Sequence, residues 1–214
     1  MPHLLDIIFI LATSSAVIQD IEGRRAAGLA TMAYYYFDFR DVKKQDRYGL
    51  LCSLVYQLAA ESDSCYDVLS LLYSENACGA RKPTSSALTE CIKDMLRRPG
   101  HGEVYIIVDA LDECPDMSGV PSAREEVLEL VEELVGSELP NVYLCVASRP
   151  EIDIRMVLQP LNPLQISLHD ESGQKNDIME YLKSTVHSDR KMRSMKKEDK
   201  QLVIDVLSEK ANGM

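Results

Sequence analysis

Val104-Tyr-Ile-Ile-Val-Asp-Ala-Leu-Asp-Glu-Cys-Pro115 runs from a short, almost wholly apolar segment directly into acidic residues. An apolar run of this length predicts a buried central strand, and the first acid, Asp109, marks its end. In an open parallel sheet, ligands bind beyond the carboxyl ends of the strands. The stretch therefore predicts that Asp109 lies at a ligand-binding edge, with Asp112 and Glu113 one turn further on.

A second stretch has the same form but ends in a cation. Val142-Tyr-Leu-Cys-Val-Ala-Ser-Arg149 again predicts a buried strand followed by a polar group. If this strand is the neighbour of the Asp109 strand, Arg149 reaches the same edge and could contact a phosphate. A surface arginine that pairs with Glu151 or Asp153 explains the spacing equally well.

The rest of the chain alternates predicted strands and helices. The aromatic segment 31–39 predicts a strand covered on both faces, and Ser122-Ala-Arg-Glu125 has the form of a capping box that begins a helix. Strands separated by helices at this spacing predict one α/β domain with a mostly parallel sheet. The other predicted elements are a strand at 165–168 and helices at 44–61, 63–73, about 85–98, 176–186 and 200–211.

Composition argues against several classes of function. The formal net charge of −11 disfavours binding to nucleic acids and to anionic membrane surfaces. The six cysteines stand singly, without zinc-ligand spacing, which indicates a reducing compartment and favours the cytoplasm. The apolar segment 4–12 is shorter than the roughly 20 residues of a membrane span and lacks the basic start of a signal peptide.

The acidic residues after the first strand suit magnesium chemistry. One carboxylate can hold Mg²⁺ through water, and a second can orient or deprotonate an attacking water molecule. A metal-dependent phosphoesterase that uses Asp109, Asp112 and Glu113 is one interpretation. The sequence places no histidine close to these carboxylates, which argues against it.

Four segments together resemble a NACHT domain, at 34–40, 104–115, 146–151 and 167–177. The resemblance is to fungal members of the STAND class, close to the nephrocystin-3-like group, and covers the chain from about Val17 onward. It implies a three-layer P-loop NTPase-like core, truncated here at both ends. In that family Asp-Ala-Leu-Asp-Glu-Cys is the Walker B motif and Ser-Arg-Pro-Glu is sensor 1.

The resemblance also implies roles for individual residues. Asp109 would belong to the shell of a magnesium ion, and Asp112 or Glu113 would position the hydrolytic water. Arg149 would read the γ-phosphate of bound ATP or GTP. Family members use the nucleotide as a conformational switch and oligomerise, so the implied partners are proteins, either further copies or other NACHT proteins.

The phosphate-binding loop of the family is missing from this sequence. The family has Gly-x-x-x-x-Gly-Lys-Ser before its first helix, whereas here the first glycine is Gly23 and the first lysine is Lys43. Ile10 and Leu11 stand where the family has lysine and the magnesium-binding hydroxyl. Apolar residues cannot provide the converging N–H groups and the positive charge that hold a triphosphate. Ser14 and Ser15 form either a helix cap or a residual phosphate contact.

These observations divide the chain into an atypical apolar segment, 1–16, in place of the P-loop, and a partial NACHT-like nucleotide-binding domain, 17–214. In the family a strand before the loop lies between the Walker B and sensor 1 strands. The apolar run 7–11 either takes that place or extends the following helix.

We predict an interaction or signalling module that binds nucleotide poorly. The alternatives are a weak magnesium-ATP or magnesium-GTP binder and the phosphoesterase.

Overall fold

The structure is a computed structural model in which the chain forms two compact units, Met1–Ile166 and Ser167–Met214. The residues that it describes are 6–10, 14–98, 102–116, 121–137, 139, 141–161, 163–166, 172–189, 192 and 195–211.

The first unit contains a parallel five-stranded sheet in the order β2-β3-β4-β1-β5. This arrangement confirms the predicted α/β class and its parallel sheet. The strands are β1 Asp6–Ile10, β2 Ala30–Tyr36, β3 Glu103–Asp109, β4 Val142–Ala147 and β5 Leu164–Ile166.

Helices cover both faces of the sheet, which gives the three layers expected of a P-loop NTPase-like core. Ile106 and Val108 of β3 belong to a large apolar cluster with α2, α4 and α5. Ile107 points to the opposite face and packs with Ile18 and Ile21 of α1. The helices are α1 Ser14–Ala26, α2 Arg47–Glu61, α3 Asp63–Glu75, α4 Ser85–Leu96, α5 Ala123–Gly136 and α6 Ile152–Leu158.

Most predicted elements of this unit are confirmed within a few residues. The capping box at Ser122 is complete, because its hydroxyl accepts from the Glu125 N–H and the Glu125 carboxylate accepts from the Ser122 N–H. The sequence did not predict α6, a seven-residue helix without a side-chain cap at Glu151. Of the strand predicted at 165–168, positions 167 and 168 lie outside the described residues.

The apolar N-terminal run forms strand β1, so the alternative that it extends the helix is wrong for residues 6–10. Its expected position between the strands of Asp109 and Arg149 is also wrong. β1 pairs with β4 from Asp6↔Tyr143 to Ile10↔Ala147, and with β5 on its other side. β3 and β4 pair directly with each other and leave no gap between them.

Strand β2 is covered on both faces only in its first half, which corrects the expectation of two covered faces. Ala30 to Ala33 are buried, whereas Tyr34 and Tyr36 are 39% and 38% exposed. On this face, Met32 of β2 belongs to the apolar cluster that also contains Ile18 and Ile21 of α1. The rings of Tyr34 and Tyr36 contact each other edge to face, with centroids 5.5 Å apart.

The outer edge of β2 is closed by a side chain from α2. Gln57 Nε2 donates to the Tyr34 carbonyl oxygen at 2.7 Å, and the Tyr34 N–H donates to Gln57 Oε1 at 3.1 Å. The side-chain amide of Gln57 thus forms both backbone hydrogen bonds that a neighbouring strand would form with Tyr34. Open strand edges are sites of association between chains, so Gln57 protects the edge of the sheet.

The second unit contains helices α7 Ser172–Ser188 and α8 Lys197–Ala211, which pack against each other. Val186 of α7 and Ile204 of α8 are buried. In the described part of the chain, no helix is both long enough and apolar enough to span a membrane.

We expect Gln57→Ala to lower the free energy of unfolding by about 1–2 kcal/mol, because two hydrogen bonds to Tyr34 are lost. The variant should also associate more at high concentration than the wild type, as measured by denaturant titration and sedimentation. Gln201→Ala is the matched control, since the hydrogen bond that the Gln201 side chain donates to Asp205 lies within α8. Equal stability and equal association in the two variants would show that Gln57 does not close the edge.

Candidate functional site

The pairing of β3 with β4 creates the candidate site. The two strands run parallel in register from Val104↔Val142 to Val108↔Val146. Asp109 ends β3, and Arg149 follows the end of β4 by two residues. The two strands are therefore neighbours, so the condition under which Arg149 reaches the same sheet edge as Asp109 is met.

A tight turn follows Asp109. Its carboxylate accepts a hydrogen bond from the Ala110 N–H at 2.8 Å, and Ala110 adopts left-handed backbone angles of φ 54° and ψ 44°. This conformation costs a residue with a Cβ roughly 1–2 kcal/mol. Leu111 offsets the cost because its side chain is fully buried in the core. A short 3-10 turn, Leu111–Glu113, then presents the remaining acidic residues at the sheet edge.

Asp112 is held by the segment that follows β4. Its Oδ1 accepts from the Arg149 N–H at 3.0 Å, and its Oδ2 lies 3.4 Å from Arg149 Nε. The Ser148 hydroxyl lies 3.4 Å from the same Oδ1. The Asp112 side chain is 13% exposed and the Arg149 side chain 80% exposed. The backbone bond therefore contributes more than the ion pair, which water screens.

Within the described residues, the Arg149 guanidinium forms no ion pair with Glu151 or Asp153, so that interpretation is wrong, whereas a contact with phosphate stays a prediction. The guanidinium pairs with the acidic turn after β3, and Asp153 instead accepts from Arg124. Asp112 and Arg149 are thus brought together, as expected for residues of one site.

Glu113 is bound to the loop that follows β2. Its Oε2 accepts from the Phe39 N–H at 3.2 Å, and Gln45 Nε2 donates to the Phe39 carbonyl oxygen at 2.6 Å. The Cys114 thiol in turn donates to the Gln45 carbonyl oxygen at 3.3 Å. The loop after β2 is therefore connected to the acidic turn by side chains from both segments.

Arg124 organises the turn, and the sequence did not identify it. Its side chain is 8% exposed, and it donates from Nη2 to the Asp112 carbonyl oxygen at 2.7 Å and from Nε to that of Cys114 at 2.9 Å. Its Nη1 lies 3.1 Å from Asp153 Oδ2 and 3.7 Å from Asp116 Oδ2. One signal was present in the sequence. Arg124 follows the Ser122 cap in the first turn of a helix, where the helix dipole disfavours a cation.

These residues surround a polar cavity of about 430 Å³ at the sheet edge. The cavity has the size of a small-molecule site. Its charged lining includes carboxylates from the turn that follows β3 and Arg149 from the segment that follows β4. It is lined by Phe39, Gln45, Asp112, Glu113, Cys114, Pro115, Asp116, Arg124 and Arg149.

Asp109, predicted as the metal residue, is not among the residues that line this cavity. Within the described residues, no three or more His, Cys, Asp or Glu side chains lie close enough together to hold a metal ion. The assignments of Asp109 to metal, of Asp112 and Glu113 to water and of Arg149 to phosphate stay predictions.

Comparison with known proteins identifies a family. The family model described as "Nephrocystin 3, N-terminal" matches residues 12–149, more than half of the chain. This match confirms the nephrocystin-3 part of the resemblance, while the assignment to fungal NACHT proteins stays a prediction. A comparison with curated proteins finds no match.

Two solved structures show a distant likeness. A chain in the structure of the Drosophila origin recognition complex (ORC) bound to DNA is 14% identical, with a TM-score of 0.41 over 76% of this chain and 79% of that one. A chain in the structure of Drosophila ORC bound to GC-rich DNA and Cdc6 is 12% identical, with a TM-score of 0.42 over 96% and 71%. At these scores the likeness is too distant to bear on function.

We expect Arg124→Met to lower the free energy of unfolding by about 2–4 kcal/mol, since the carbonyl oxygens of Cys114 and Asp112 lose a charged donor in buried and part-buried hydrogen bonds. Arg155→Met on the exposed surface of α6 is the matched control and should change stability by less than about 0.5 kcal/mol. Denaturant titration measures both. A loss in Arg124→Met no larger than in the control would show that Arg124 does not organise the turn.

Proposed function

Since the chain belongs to the nephrocystin-3 N-terminal family, we propose that it is a signalling or interaction module with a P-loop NTPase-like core that binds nucleotide weakly. The proposal includes the finer assignments to the NACHT class, to a cytoplasmic location and to protein partners. Those partners are further copies of the chain or other NACHT proteins.

The observation that carries this proposal is the contact between Asp112 and Arg149. A residue that reads a γ-phosphate and a residue that positions water both have to face the ligand. Here the Arg149 N–H and guanidinium face Asp112, and Glu113 accepts from the Phe39 N–H. Binding of a nucleotide in the family's manner would have to compete with these contacts.

The connection between β1 and α1 supports the same conclusion. Between Ile10, the last residue of β1, and Ser14, the first residue of α1, the sequence reads Leu-Ala-Thr and contains neither glycine nor lysine. The loop of the family is an eight-residue motif that includes the lysine and hydroxyl for the triphosphate and magnesium. The residues present do not fit a magnesium–triphosphate complex held in that way.

The exposed aromatic face of β2 supports a role in protein contacts. Tyr34 and Tyr36 lie side by side at the edge of the sheet. Tyrosine is enriched in protein interfaces, because its ring contributes a large apolar area and its hydroxyl stays hydrated. By contrast, the described residues hold no carboxylate cluster that would favour a metal-dependent phosphoesterase.

We expect calorimetric titration of the chain with magnesium-ATP to give a dissociation constant weaker than about 1 mM, equivalent to less than roughly 4 kcal/mol of binding free energy. Magnesium-GTP should behave in the same way. The reason is the loss of several charge-assisted hydrogen bonds together with the loop.

Micromolar binding in the wild type that disappears in Asp109→Ala would contradict the proposal. It would show that the acidic edge suffices for a nucleotide site. Asp67→Ala is the matched control, because Asp67 is an exposed carboxylate on α3. Binding that survives in both variants would place the nucleotide elsewhere and would equally contradict the account of this edge.

A further inference from the structure

A second cavity, of about 250 Å³, lies between helices α2, α3 and α4 and the segment that joins α3 to α4. None of its lining residues borders the polar cavity at the sheet edge. Most are aromatic or aliphatic. They are Tyr48, Cys52, Val55, Tyr56, Leu69, Leu72, Tyr73, Asn76, Gly79, Arg81, Pro83 and Leu88.

Apart from Arg81, the residues that line this cavity carry no charge at neutral pH. Of its lining residues, Val55, Leu72 and Leu88 are buried. Burial raises the pKa of the Cys52 thiol, so the thiol stays protonated at neutral pH. Burial also raises the pKa of the Tyr48 hydroxyl. The cavity is therefore suited to an apolar group, and its tyrosine rings offer faces and edges for an aromatic one.

A cation stands among the lining residues. Arg81 is exposed, and within the described residues no carboxylate forms an ion pair with it. The next residue, Lys82, lowers the pKa of the Cys52 thiol, whereas burial and the carboxylate of Asp46 raise it more strongly. Arg81 is the residue that brings a charge to the lining of the cavity, and it favours an anionic group over a cationic one.

The backbone around the cavity is strained. Ala77, Cys78 and Gly79 have consecutive left-handed φ values of 53°, 52° and 85°. Two backbone hydrogen bonds stabilise this conformation. The N–H groups of Arg81 and Gly79 both donate to the Asn76 carbonyl oxygen, at 3.1 Å and 3.2 Å. A Cβ at Gly79 would lie only 2.6 Å from Tyr73 Cε2. Backbone strain of this kind clusters at ligand-binding segments.

We propose that this cavity binds a small amphipathic anion, whose apolar ring system lies among the three tyrosines and whose carboxylate or sulfonate pairs with Arg81. The volume sets the size of the ring system. A cavity of about 150 Å³ accepts benzene, so one of 250 Å³ accepts roughly two fused rings. This site is independent of nucleotide binding and of the acidic edge.

The test is calorimetric titration of the whole chain with naphthoate and with its neutral analogue naphthamide. Wild type should bind naphthoate saturably and more tightly than naphthamide. Arg81→Gln should weaken naphthoate about fivefold, the size of one exposed ion pair, and leave naphthamide unchanged. Arg98→Gln, an exposed arginine that does not line the cavity, should change neither ligand.

A variant that fills the cavity provides a second readout. Cys52→Phe should abolish binding of both ligands while the chain keeps its circular dichroism spectrum. If Cys52→Phe does not fold, the comparison of Arg81→Gln with Arg98→Gln still decides the matter, because both positions are exposed. No saturable binding of naphthoate, or equal affinity in wild type and Arg81→Gln, would overturn the proposal.

Discussion

The direct parallel pairing of β3 with β4 is the constraint on which the rest of the structure depends. It aligns two buried apolar strands so that the polar residues after each strand meet at one edge of the sheet. The contact between Asp112 and Arg149 follows from this alignment, although 37 residues separate the two in sequence. Arg124 then fixes the acidic turn by binding two of its carbonyl oxygens.

The charge balance at this edge explains how the protein stabilises the acidic turn. A carboxylate that is largely removed from water needs a hydrogen-bond donor or a cation as a partner. Asp112 finds both in Arg149, and Glu113 and Asp109 accept from backbone N–H groups. The acidic turn is thus joined by its own side chains to the segments that follow β2 and β4.

The sequence predicted the parts of the structure that local patterns determine. β3, β4 and α5 follow from an apolar run, a second apolar run and a capping box. The position of β1 could not be predicted, because a five-residue apolar run fits a strand or a helix and strand order depends on distant pairing. The role of Arg124 depends on contacts with residues 10 to 29 positions away, which no local pattern reveals.

Amide hydrogen exchange at Arg149 tests the central claim most directly, which is that Asp112 closes this edge whether or not nucleotide is present. We expect a protected Arg149 N–H in the wild type, unchanged protection in millimolar magnesium-ATP, and loss of protection in Asp112→Ala. Rapid exchange in the wild type would show that the edge is open. A change in Arg149 protection on adding magnesium-ATP would show that nucleotide reaches this site, and either result would contradict the account.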